Sequence, residues 1–78
     1  MTKHETCDHH DFRRRIERLY QTAAGTPHTR GAQAWWSRRT GWSPRSIQDW
    51  CGGRRSIRDA VWRQLEAAER EHGLGEDA

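Results

Sequence analysis

The sequence predicts an all-α protein, a compact bundle of four or five short helices. Three observations carry this. Apolar residues recur at helical spacing in separate stretches, and glycine and proline punctuate the chain between them. Only 32% of the 78 residues are hydrophobic, too few for a sheet-rich or multilayer fold. Five tryptophans make a small core feasible without disulfides, since each indole can bury roughly 150–250 Å².

The elements follow in order. Residues 1–10 are polar and lack periodicity, which predicts a flexible tail. Asp11 is the candidate cap of a first helix to Ala24, with Phe12, Ile16, Leu19, Tyr20 and Ala23 on one face. Arg13, Arg14, Arg15 and Arg18 occupy its other face. Gly25-Thr26-Pro27 breaks this helix, and Pro27 to Gly31 is a loop. The second helix starts at Gly31 or Ala32 and ends at Thr40, and Gly41-Trp42 is a turn. Ser43 caps a third helix, Pro44 suits its first turn, and the helix runs to about Cys51 before Gly52-Gly53. Ser56 with Asp59 three positions on reads as a capping-box-like start to a fourth helix. Its stripe is Ile57, Val61, Leu65 and Ala68, with Trp62 beside it, and Gly73 ends it just past His72. The predicted domain therefore spans 11–73, with an acidic tail over 74–78.

Net charge is +3, but its distribution is uneven. Residues 1–11 carry −2, residues 12–63 carry twelve arginines against three acids, hence +9, and residues 64–78 carry −4. A basic body with acidic ends is the footprint of a nucleic-acid binder. Arginine suits bidentate contacts to phosphate and guanine. A coding bias toward arginine would also explain the Arg:Lys ratio, though not the clustering. Cys7 and Cys51 form no disulfide framework and no C-x-x-C pair, which points to a reducing, cytoplasmic setting. No apolar run has the length of a signal or a membrane span, and mean hydropathy is −1.24.

The stretch from Gln33 to Gly53 carries the functional reading. Ser37 lies four positions before Gly41, which suits the φ > 0 conformation that ends a helix. Ile47 and Trp50, three apart, mark the buried side of the third helix, leaving Arg45, Gln48 and Asp49 outward. With Arg54-Arg55 after it, this stretch resembles the helix-turn-helix of the Cro and lambda-repressor class of phage and bacterial regulators. Ser37, Gly41, Ile47 and Trp50 carry the likeness, and Gln33 falls where that class often has a glutamine. Trp42 departs from the pattern, which usually has a smaller aliphatic in the turn, and Trp35 beside Trp36 is also unusual.

The resemblance implies a lambda-repressor-like bundle whose third helix enters the major groove of double-stranded DNA. It implies base contacts from Ser43, Arg45, Ser46, Gln48 and Asp49. Phosphate contacts are implied from Gln33, Arg38, Arg39, Arg54 and Arg55. The chemistry fits independently, because Arg pairs with guanine, Gln with adenine, and Asp accepts from cytosine. A solvated helix face is the rival reading for these residues, and a salt bridge from Asp49 to Arg45 or Arg54 is the rival for Asp49. The arginines of the first helix read as a charged surface or as contacts to phosphate or an acidic partner.

The expected protein is a small transcriptional regulator, a repressor or Cro-like factor of phage or mobile-element origin, nucleoid-associated when on DNA. A homodimer is expected, with Trp62, Leu65 and Trp35 as its interface, because five indoles exceed what so small a core can bury. Glu66, Glu69 and Glu71 would then face the first-helix arginines of a second subunit. Two alternatives stand: an adaptor binding a host protein such as a polymerase subunit through its tryptophans, or a DNA-binding accessory factor in recombination or packaging. His4, Cys7, His9, His10 and Cys51 raise the question of zinc, but no second closely spaced pair completes four ligands. No metal, cofactor, small-molecule substrate, membrane association or enzymatic activity is expected, since no phosphate loop, acid pair or nucleophile elbow is present.

Overall fold

The computed structural model describes the backbone of residues 3–74 and the side chains of residues 8–74. Four helices follow one another: α1 Lys3–Ala24, α2 Ala32–Thr40, α3 Pro44–Cys51 and α4 Asp59–Glu71. There is no strand among the described residues. The protein is a small all-α bundle.

The helix α1 is the hub, packing against each of the other three, while α2 also packs on α3. Phe12, Ile16 and Leu19 supply its buried face. Ala32 and Trp36 come from α2, and Ile47, Trp50 and Cys51 from α3. Val61, Leu65 and Ala68 complete the core from α4. Phe12 meets both Trp50 and Trp62 edge-on, with centroids 6.3 and 5.3 Å apart, a geometry favoured by the ring quadrupoles.

Three boundaries differ from those the sequence predicts. The first helix begins at Lys3, so the residues expected as a tail from Lys3 to His10 are helical, and residues 1–2 lie outside the described ones. Asp11 is mid-helix and pairs with Arg14 (3.8 Å) and Arg15 (3.5 Å) instead of capping, the helical spacing at which opposite charges meet. The helix thus extends over a segment that apolar periodicity does not mark, and Ala23, expected on the apolar face, is exposed. Ser56 does not cap α4. That helix starts three residues later, after Arg58, with no side-chain cap.

Leu74, assigned to the acidic tail, belongs to the α4 terminus. Its N–H donates to the Glu69 carbonyl at 2.7 Å, the Gly73 N–H donates to Arg70 at 3.2 Å, and Gly73 sits at φ 74°. This is the Schellman closure, with the following apolar residue packed on the core. The remainder of that tail, residues 75–78 with Glu76 and Asp77, lies outside the described residues.

Glu69 is only 7% exposed, yet it is not stranded. Arg15 forks onto its carboxylate, with Nη2 at 2.6 Å and Nε at 3.0 Å. The guanidinium also lies over the Trp62 ring, 5.4 Å from its centroid. The Glu69 hydrogen bonds raise the Arg15 pKa above its ordinary value against the opposing cost of burial. This pair ties α1 to α4. Among the described residues, no helix is long and apolar enough to cross a membrane.

Candidate nucleic-acid interface

The turn between α2 and α3 is held by several hydrogen bonds to its backbone. Gly41, at φ 86°, donates to the Ser37 carbonyl at 2.8 Å. The Ser37 hydroxyl donates to the Trp42 carbonyl at 2.7 Å, and the Trp42 N–H donates to Thr40 Oγ1 at 3.2 Å. Ser37 is therefore a hydrogen-bonding residue as well as a small one. The Trp42 ring stands edge-on to Trp50 with centroids 5.4 Å apart, and its indole N–H donates to Gln64 of α4. The bulky turn residue thus locks the turn to the rest of the bundle.

The helix α3 has two distinct sides. Ile47, Trp50 and Cys51 are buried. Arg45 and Gln48 are exposed, and no acid pairs with Arg45 among the described residues. Ser43 caps the helix by accepting from the Ser46 N–H at 3.1 Å, with Pro44 at the first helical position. The orientation expected from Ile47 and Trp50 is found for Arg45 and Gln48, whereas Asp49, also expected outward, is mostly covered.

A polar chain runs along α3 from its cap to the loop beyond it. The Ser43 hydroxyl donates to Ser46 Oγ at 3.0 Å. Arg55 Nη1 donates to the same Ser46 Oγ at 3.2 Å and its Nη2 to Asp49 Oδ2 at 3.4 Å. Arg54 Nη1 lies 3.7 Å from Asp49 Oδ1. The Asp49 side chain is 16% exposed, against 75% for Arg54 and 50% for Arg55. Of the two readings of Asp49, the ion pair is the one present, with Arg54 and also Arg55, but not with Arg45.

The remaining expected residues are dispersed. Gln33 is half-buried and Arg38 is exposed. Arg39 turns toward α4, pairing with Glu71 and lying 5.8 Å from the Trp35 ring centroid. In α1, Arg13 pairs with Glu17 (3.2 Å), and Arg14 and Arg15 are paired as described, leaving Arg18 exposed.

The surface expected for pairing between copies is altered. Leu65 is fully buried inside the protomer and has no surface to give a partner. Trp35 and Trp62 are half-buried, packed on Tyr20 and Phe12 respectively. Glu69 is buried in its pair with Arg15 and has little surface for a second subunit, while Glu71 pairs with Arg39 of the same chain at the surface. Among the described residues no three His, Cys, Asp or Glu side chains gather in a metal-binding group. The side chains of His4 and Cys7 lie outside the described ones. Burial pushes the Cys51 thiol up to about 11, so at neutral pH it is a packed, protonated side chain. No protein-family model matches the chain, and no curated protein or solved structure shows significant similarity to it.

Proposed function

We propose that the chain binds double-stranded DNA sequence-specifically, with α3 reading base edges, and acts as a small transcriptional regulator. One observation carries the reading. A short, capped helix is fixed by three buried residues while Arg45 and Gln48 stand unencumbered on its outer side, flanked by the loop arginines Arg54 and Arg55. Arginine can pair bidentately with guanine and glutamine with adenine, while the loop arginines suit phosphate. The net charge of +9 over residues 12–63 supplies the attraction such binding needs. The likeness of Ser37, Gly41, Ile47 and Trp50 to the Cro and lambda-repressor pattern supports the same role. It also suggests regulation from a phage or mobile element, with two copies meeting on half-sites about 34 Å apart.

The test is selection of genomic fragments by the purified protein, followed by sequencing and salt-dependent titration. A recurrent motif is expected, with affinity falling steeply as salt rises, by a log–log slope near −0.9 per phosphate neutralised. No enrichment at low salt overturns the reading and favours an adaptor role. The observation behind that alternative is the exposed part of Trp35, Trp42 and Trp62, since tryptophan is enriched at protein-interface hot spots.

A further inference from the structure

The contact between α3 and the loop that follows it is built twice over, once by backbone and once by side chain. Gly53, at φ 80°, lets the chain reverse, so that the Arg54 N–H donates to the Asp49 carbonyl at 2.8 Å and the Gly53 N–H to Trp50 at 3.3 Å. This Schellman closure brings the next two side chains back along α3. There the Asp49 carboxylate meets both arginines, one on each oxygen, and Ser46 gives Arg55 a second acceptor. A carboxylate engaged in this way has little left to offer a cytosine amino group.

We propose that Asp49 is a positioning residue for the loop arginines and not a base reader, a role that rests on the DNA-binding reading above. Asp49 pre-orders Arg54 and Arg55 beside the recognition surface and offsets part of their charge. The arginines are half or more exposed, so these contacts exchange readily for phosphate oxygens; exposed pairs of this kind are weak. The consequence is a smaller phosphate-driven term on every sequence. Binding to arbitrary sequence, which depends on phosphate charge, is held down by the carboxylate. Binding to the preferred site adds the base contacts of Arg45 and Gln48, which Asp49 does not touch.

The experiment compares wild type, D49N and D49E on the preferred duplex, its single-base variants and a random-sequence duplex, across about 50–200 mM salt. D49N is expected to bind random sequence several-fold more tightly, with a log–log slope steeper by roughly 0.9 for each phosphate gained. The preferred duplex gains by a similar factor, so the preferred-to-random ratio holds and no base pair becomes newly indifferent. D49E, which keeps the charge, returns the slope to the wild-type value. A loss confined to one base pair in both variants makes Asp49 a reader and overturns the proposal. An unchanged slope and an unchanged random-sequence affinity in D49N also overturn it, leaving the DNA-binding reading intact. Failure of wild type to bind any duplex overturns both.

Discussion

Arg45 and Cys51 lie six positions apart on α3 and answer to opposite environments. Arg45 is exposed and unpaired by any described acid, so its loss leaves the fold intact. Arg45→Ala is expected to weaken the preferred site by about 1–3 kcal/mol and to relax preference at one base pair. Titration against single-base variants checks this, and equal loss on every sequence would assign Arg45 to phosphate. Cys51 is buried, and desolvation holds its thiol protonated up to about 11. An unfolded thiol ionises near 8.5. The folded state therefore keeps a proton that the unfolded state releases, and stability falls as pH rises between those values. Below about 8.5 the thiol makes no pH-dependent difference. Thermal melts at neutral and alkaline pH should show this loss, and it should shrink in Cys51→Ala.

At the scale of elements, the helix ends decide how well the pieces meet. Gly53 closes α3, and a Cβ there would approach the His9 ring to 3.1 Å. Gly53→Ala must also occupy a left-handed conformation, which costs an L-residue roughly 1–2 kcal/mol. A stability loss of at least that size is expected in denaturant melts. It should be partly relieved when His9 is also replaced by Ala, which measures the coupling of α1 to the α3 terminus. That coupling is the part the sequence hid. The α2–turn–α3 unit was legible because glycine, serine and proline act locally, each through its own backbone geometry. The start of α1 was not, since residues 3–10 have no apolar stripe. Ser56 misled for the converse reason: a capping pattern names a possible cap, and the chain there runs extended until Arg58.

At the scale of the whole molecule, the longest-range polar link among the described residues is Arg15 to Glu69, separated by 54 positions. The sequence suggests Glu69 opposite the first-helix arginines of a second subunit; the pair forms instead within one chain. Arg15→Ala should destabilise the protein by about 2–3 kcal/mol, toward the low end for broken buried pairs because Arg15 retains some exposure. Replacing both with methionine should cost much less, and calorimetry distinguishes the two. The same link removes an acid from the surface expected between copies. Light scattering at micromolar concentration should accordingly give a monomer mass without DNA, with pairing appearing only on a duplex carrying two half-sites. A dimer mass without DNA would show that the half-buried tryptophans suffice.

The two sides of α3 share no residue. Ile47, Trp50 and Cys51 secure the helix, while Arg45 and Gln48 play no part in securing it. Inheritance can act on the two sets separately. A single codon change at Arg45 or Gln48 can alter the exposed side without passing through an unfolded ancestor. If α3 reads DNA as proposed, a lineage carrying this scaffold is free to follow a drifting operator one substitution at a time.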